Sequence, residues 1–274
     1  MLRELATGRG TLRYHEEGDG PPLVLLHGSG PGVSGWQNYR GVLPAFAARY
    51  RCLVLEFPGF GVSDPADGHP MVTAPRSVLD LLDGLGLDRA PVIGNSMGGI
   101  VAVNLAIAHP QRFAKLVTIG GVGVPLFSPS PAEGINRLME FAADPTKDRL
   151  VQWLYSMVSD RALVTEELVE ERWALATAAD SLATARAMYS REAFAARQAA
   201  ADASGRPPYW SMLHRVRCPT LLTWGRDDRV SPVDSAIVPM RLIPRAELHV
   251  FPNCGHWTML EAREAFCATV LAFL

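Results

Sequence analysis

The chain has 274 residues, of which 48% are hydrophobic, and a formal net charge of −2. That apolar content over that length builds a sizeable core and excludes a disordered chain, while the near-neutral balance, with no Lys/Arg block, excludes an electrostatic nucleic-acid binder. The opening Met1-Leu-Arg-Glu-Leu-Ala has an acidic residue and no apolar core of signal-peptide length, and no apolar run is long enough to span a bilayer, so a soluble, cytoplasmic protein with no membrane partner is expected.

Apolar runs at 12–16 and 22–26 read as the first strands, and the second leads into a glycine-rich loop, His27-Gly28-Ser29-Gly30-Pro31-Gly32. A strand is expected at 52–55, then a helix over 74–85, where Val78, Leu81, Leu82 and Leu85 recur at helical spacing. The run around Val92-Ile93 passes through Gly94-Asn95-Ser96-Met97-Gly98-Gly99 into a helix over 100–109, which Pro110 closes. Strands at 116–119, 220–224 and 248–251 and a closing helix over 262–274 complete the alternation. This is the pattern of an α/β fold, a mostly parallel sheet with helices on both faces.

The alternation fails between about 127 and 213, where helix starts follow one another without strands. Ser130-Pro131-Ala132-Glu133 reads as a capping box, Asp144-Pro145 opens a second helix, Thr165-Glu166-Glu167 a third, and an Ala/Arg-rich fourth begins at Ser181. The expected organisation is an α/β core of residues 1–126 and 214–274, interrupted by a helical cap over 127–213. No internal repeat is evident.

Glycines around a serine are ordinary turn formers. Between a strand and a helix, however, G-x-S-x-G forces the serine onto a sharp elbow that presents its hydroxyl, so Ser96 is the candidate nucleophile. A serine hydroxyl needs a base, an acid that orients the base, and donors for an oxyanion. Gly225-Arg226-Asp227-Asp228 follows the strand ending at Trp224, and Cys254-Gly255-His256-Trp257 follows the strand ending at Phe251. Taken singly, these are loop or turn residues. Taken together, serine, acid and histidine at successive strand ends give the chain order of an α/β-hydrolase triad, Ser96, Asp228 and His256. Asp228 is preferred to Asp227 because the G-x-x-D-x-x-x-P spacing from Gly225 to Pro232 fits that pattern, which leaves Asp227 to solvent or a neighbouring arginine. The expected oxyanion donors are the N–H groups of Met97 and Ser29. The four cysteines form no C-x-x-C, so buried reduced thiols are expected, and Cys254 lacks the elbow that Ser96 has. Neither a metal nor an organic cofactor is expected.

The motifs H-G-S-G-P-G-x-x-G-W-x-N (His27 to Asn38), P-G-F-G-x-S-D (Pro58 to Asp64), G-N-S-M-G-G, W-G-R-D-D-R and C-G-H-W resemble those of the meta-cleavage-product hydrolases, C–C bond hydrolases of aromatic-ring and steroid degradation. The likeness spans nearly the whole chain, including F-S-P-S-P-A-E-G-I and Glu171-Arg172-Trp173 in the cap. It implies a 2-hydroxy-6-oxo-dienoate substrate, which must ketonise before Ser96, or a water activated at the triad, attacks. Residue by residue, it implies that Arg172 and Asn95 contact the carboxylate and dienol end, with Gly28 and Asn38 close by and Trp257 beside the histidine. Leu138, Trp153, Met157 and Val230 fall where the family lines the pocket of the departing acid. A homo-oligomer, dimer or higher, is likewise implied by the resemblance alone.

Two departures stand out. Relatives carry aromatics at several of those pocket positions, and the segment from Ser190 to Tyr209, with Gly205-Arg206-Pro207-Pro208, has no match. Without the resemblance, Arg172 reads as a helix-surface ion pair with Glu167 or Glu171, and a carboxylesterase or acyl-transfer enzyme would use the same triad without it. A non-catalytic small-molecule receptor on this fold would need no triad, and haloalkane dehalogenases and epoxide hydrolases use an aspartate where this chain has Ser96.

Overall fold

The computed structural model describes residues 1–205 and 207–274. Eight strands form one sheet: β1 (Leu2–Thr7), β2 (Gly10–Glu17), β3 (Pro22–Leu26), β4 (Arg51–Glu56), β5 (Ala90–Asn95), β6 (Phe113–Ile119), β7 (Thr220–Gly225) and β8 (Ala246–Phe251). Their order is β1-β2-β4-β3-β5-β6-β7-β8, antiparallel at β1/β2 and β2/β4 and parallel elsewhere. The central strands are apolar because both faces are covered: Leu23 to Leu26 and Cys52 to Leu55 are fully buried. The chain runs from β3 to β4 on one side and returns to β5 on the other. The carboxyl ends of β3 and β5 therefore flank a topological switch point, where a crevice opens.

Short helices α1 (Gly35–Tyr39) and α2 (Leu43–Ala47) follow β3, α3 (Pro70–Gly84) follows β4, and α4 (Met97–Ala108) follows β5. Between β6 and β7 come α5 (Glu133–Ala143), α6 (Lys147–Met157), α7 (Glu166–Ala176), α8 (Ala179–Tyr189) and α9 (Arg191–Ser204), and then α10 (Ile237–Leu242), α11 (Thr258–Glu261) and α12 (Arg263–Phe273) complete the chain. Among the described residues, no helix is long and apolar enough to cross a membrane.

Several expectations need correction. An additional strand, β1, pairs with β2 as an exposed edge hairpin, so its residues lack the apolar run that marks a buried strand. Ser130 does not cap α5. The helix starts at Glu133 behind Ala132, and the N–H of Gly134 donates to the Arg229 carbonyl at 2.9 Å, so the core supplies the acceptor that a serine cap would have supplied. The second helix is capped by Thr146, which accepts from the Arg149 N–H, and not by Asp144. The Ala/Arg-rich segment is two helices, because Ser190 breaks it and caps α9 through the Ala193 N–H. Within the unmatched Gly205-Arg206-Pro207-Pro208, Arg206 lies outside the described residues.

Candidate active site

Ser96 ends β5 and begins α4 with φ 51° and ψ −112°, a conformation that a residue bearing Cβ adopts only where its surroundings force it. The glycines around it allow that packing. A Cβ on Gly94 would lie 2.5 Å from the Gly98 carbonyl oxygen, and one on Gly98 would strike the Leu26 carbonyl of β3. The Ser96 N–H donates to the Ile119 carbonyl at 2.8 Å, while its hydroxyl makes no capping bond to α4. The first N–H groups of the helix, Met97 included, are therefore not consumed by the serine.

His256 and Asp228 come to the same place from the ends of β8 and β7. Their side chains are buried, with Nδ1 of His256 2.7 Å from Oδ2 of Asp228. Oδ1 of Asp228 accepts from the N–H groups of Val230 and Ser231, each at 2.8 Å, which fixes the carboxylate and so the orientation of the ring. Behind both runs the loop after β6. A Cβ on Gly120 would lie 3.1 Å from His256 Cε1 and 3.3 Å from Asp228 Oδ2, and one on Gly121 would lie 2.6 Å from Ser96 Cα. The α6 end presses on the histidine loop as well, since the His256 N–H donates to the Met157 carbonyl at 2.7 Å. Asp227 instead pairs with Arg226 at 3.0 Å on the surface. Cys254 is buried, and burial together with Glu261 pushes its thiol pKa up, away from thiolate formation.

Gly28 approaches the serine closely, for a Cβ there would lie 3.4 Å from Ser96 Cβ. The peptide after it is held by His27, whose Nδ1 lies 2.6 Å from the Gly28 carbonyl while Nε2 accepts from the Phe57 N–H at 3.0 Å. With both nitrogens so used the ring is neutral and Nδ1-protonated, in keeping with the burial that lowers its pKa. A planar trans peptide points its N–H opposite its C=O, so anchoring the Gly28 carbonyl sets the direction of the Ser29 N–H. Gly30 to Gly35 spells G-x-G-x-x-G, but the first two of these glycines meet protein: Gly30 faces the Trp153 ring and Gly32 the Arg172 backbone.

Arg172 is 4% exposed, and its guanidinium lies 5.1 Å from the centroid of the Trp257 ring. Glu171 is engaged elsewhere, accepting two bonds from Arg40 at 2.8 and 2.9 Å. Nε and Nη1 of Arg172 are buried with no hydrogen-bond partner among the described residues, as are Nδ2 of Asn38 and Nε1 of Trp153. Asn38, Arg172 and Trp257 line one cavity of 190 Å³ with Gln37 and Leu168. Burial draws the Arg172 pKa down to about 10, which still leaves it charged at neutral pH. A buried cation whose Nε and Nη1 lack acceptors is costly unless an anion joins it.

Residues 21–262 match the model of the α/β hydrolase fold family. The chain is 38% identical to the 2-hydroxy-6-oxo-6-phenylhexa-2,4-dienoate hydrolase of Burkholderia cepacia, over 97% of this chain and 93% of that protein. It is 37% identical to the 2-hydroxy-6-oxononadienedioate/2-hydroxy-6-oxononatrienedioate hydrolase of Comamonas testosteroni, again over 97% and 93%. A solved structure of the meta-cleavage product hydrolase of Pseudomonas fluorescens IP01 superposes with a TM-score of 0.88 at 29% identity, over 99% and 96% of the two chains. The chain belongs to the meta-cleavage-product hydrolases. An esterase of Exiguobacterium antarcticum, 20% identical with a TM-score of 0.78, shares the fold.

In this meta-cleavage-product hydrolase the structure brings together Ser96, Asp228, His256, Gly28, Ser29 and Met97 at the switch point. Asn38, Arg172 and Trp257 share the neighbouring cavity with Gln37 and Glu171. Asn95 is buried and spends its amide N–H on the Ile119 carbonyl at 3.2 Å, with Oδ1 against Gly28. Leu138, Trp153, Met157 and Val230 are all buried. Trp153 packs edge-on to Trp257, its ring centroid 6.2 Å away, and Val230 packs on Gly134. Three residues of the site were not singled out by sequence reasoning. His27 stood in the H-G-S-G motif without a role of its own. Glu261 accepts from the Gly255 N–H at 2.7 Å and steadies the histidine loop, and Tyr189 of α8 hydrogen-bonds the Ser29 hydroxyl. Neither of the last two carries a local sequence signal, because both are defined by what they meet across the chain.

Proposed function

We propose that this protein hydrolyses a C–C bond in a 2-hydroxy-6-oxo-dienoate, giving a 2-hydroxypentadienoate and a carboxylic acid, through Ser96, His256 and Asp228. The observation that carries this reading is Arg172, a buried cation with two free N–H groups beside the free amide of Asn38. A substrate carboxylate satisfies these donors with charge-assisted bonds, whereas a neutral ester leaves them unpaired. Relatives named as dienoate hydrolases support the same assignment.

The carboxylate end of the substrate sits against Arg172 and Asn38, which directs C6 toward Ser96. Protonation at C5 at the expense of the 2-hydroxyl gives the 2,6-diketone, with His256 as the shuttle. The Ser96 hydroxyl then attacks C6, passing its proton to His256, whose imidazolium Asp228 stabilises. The C6 oxyanion accepts from the N–H groups of Ser29 and Met97. Collapse breaks C5–C6, and the electron pair moves onto the C2 carbonyl as a dienolate whose charge lies close to Arg172. Proton uptake releases the 2-hydroxypentadienoate, and water cleaves the acyl-serine to the acid. The four residues Leu138, Trp153, Met157 and Val230 supply an apolar wall for the C6 substituent.

The test is a mixed panel. Purified protein is incubated with a yellow 2-hydroxy-6-oxo-6-phenylhexa-2,4-dienoate and, separately, with a p-nitrophenyl ester. Loss of the dienol absorbance with formation of benzoate is the expected result. An unchanged dienoate alongside rapid release of nitrophenolate would refute it in favour of an esterase.

A further inference from the structure

The loop from Gly28 to Gly32 is where the core meets three of the helices inserted between β6 and β7. Trp153 of α6 lies on Gly30, the Arg172 backbone of α7 on Gly32, and the Tyr189 hydroxyl of α8 bonds to the Ser29 hydroxyl. Tyr189 is 8% exposed and closes α8, just before the break at Ser190. On the same face of α8, Thr184 sits against Gly59, and the void left between α8 and the two glycine loops is 10 Å³, no larger than a single water requires. Ser29 is therefore gripped from two sides. His27 holds its peptide from the core, and Tyr189 holds its side chain from α8.

We propose that Tyr189 is a positioning residue for the oxyanion hole, fixing Ser29 so that its N–H points at the C6 oxyanion only while α8 is seated on the loop. The proposal rests on the reading of Ser29 as an oxyanion donor. The Tyr189 hydroxyl touches Ser29 and no reacting atom. Its removal frees one of the two anchors of Ser29, so the donor loses its fixed aim. Loss of one whole oxyanion donor costs about 10²- to 10³-fold in kcat, and a loosened donor costs part of that. Because every acyl transfer at Ser96 builds the same oxyanion, the loss falls on all substrates alike and on kcat, not on KM. A role limited to holding the helices together would instead raise KM for the dienoate and leave ester turnover intact.

The experiment is a double-mutant cycle with Tyr189→Phe, Ser29→Ala and the double variant, each measured for kcat and KM on the dienoate and on a neutral p-nitrophenyl ester. Each single change is expected to lower kcat on both substrates by about 10- to 50-fold with KM nearly constant. The double variant should be no worse than the poorer single, since both remove one interaction. Wild-type kcat on both substrates, losses that multiply in the double variant, or a change confined to the dienoate KM would each overturn the proposal. Should Tyr189→Phe fail to fold, Ser29→Ala leaves α8 intact and decides alone, because unchanged kcat there is equally fatal. The ester arm keeps the test independent of the proposed function: if the wild type leaves the dienoate untouched, that function fails, and the ester still reports on Tyr189.

Discussion

Replacing Arg172 with glutamine separates a C–C hydrolase from an esterase within one variant. The guanidinium offers two unpaired nitrogens, Nε and Nη1, in a buried site. Two charge-assisted bonds to a carboxylate contribute about 1.5–3 kcal/mol each, and glutamine restores one neutral bond of about 1 kcal/mol. The net loss is about 2–5 kcal/mol, which at about 1.4 kcal/mol per tenfold is roughly 30- to 3,000-fold in kcat/KM for the dienoate. A neutral p-nitrophenyl ester offers nothing to these donors, so its kcat/KM should stay within about threefold. The ligand-free protein should move the other way. Taking an unpaired charge out of the interior stabilises the fold by on the order of 1–3 kcal/mol, and for a chain of this size each of those raises Tm by about 2–4 °C. Kinetics on both substrates and a melting curve without ligand check all three expectations. An equal loss on both substrates, or none on the dienoate, would refute the reasoning and make Arg172 a structural residue.

Ser96→Ala should abolish turnover of both substrates while circular dichroism stays native, and a residual rate above about one part in 10³ would remove Ser96 as nucleophile. Asp228→Asn should lose about 10⁴-fold through the wrong histidine tautomer, whereas Asp227→Asn, which disturbs only surface contacts with Arg226 and Ser159, should lose less than about twofold; steady-state rates of the two variants distinguish them. Asp234 anchors the chain where it leaves the core after β6. Burial alone would raise its pKa, but the N–H groups of Phe127, Ser128 and Leu126 and the Ser128 hydroxyl outweigh that and hold it at about 2. Since the folded value lies below the unfolded 3.8, this stabilisation is complete above pH 3.8 and is lost as the pH falls through about 2. Asp234→Asn should therefore cost about 2 kcal/mol at pH 7 and flatten the acid limb of a stability-versus-pH curve, an outcome that urea titrations at several pH values would confirm or deny.

The parts of this protein legible in the sequence are those whose cause is local. β3 and β4 are read from apolar runs because both faces are covered, and the elbow at Ser96 is read because its backbone conformation demands glycines at fixed offsets. The choice of Asp228 follows from spacing and agrees with the 2.7 Å contact to His256. The misreadings have non-local causes. β1 pairs only at the sheet edge, and Ser130 yields its capping role because Arg229, far along the chain, already satisfies Gly134. Arg172 shows how little local reading gives when the resemblance is set aside. Beside Glu171 in sequence it looks like half of a surface ion pair, and only the fold shows that Arg40 has taken that glutamate and left the neighbouring guanidinium buried.

Three locally unfavourable features stand out: the positive φ of Ser96 at the switch point, and the unpaired nitrogens of Arg172 and the free amide N–H group of Asn38 in the cavity they share with Trp257. Each would be selected against in a chain evolved for stability alone, and the unpaired nitrogens of Arg172 and Asn38 have no hydrogen-bond partner among the described residues. They persist because the surrounding frame over-determines them: β5 and α4 are locked by Gly94 and Gly98, the Gly28–Ser29 peptide by His27, and the carboxylate of Asp228 by two backbone N–H groups. The unfavourable groups also share a chemical sense. The unpaired atoms of Arg172, Asn38 and Trp153 are hydrogen-bond donors, and on the proposed function the strained residue is the nucleophile. On the proposed function, the donors of Arg172 and Asn38 receive the substrate carboxylate while its reacting carbon lies at Ser96, which turns the stored cost into substrate orientation.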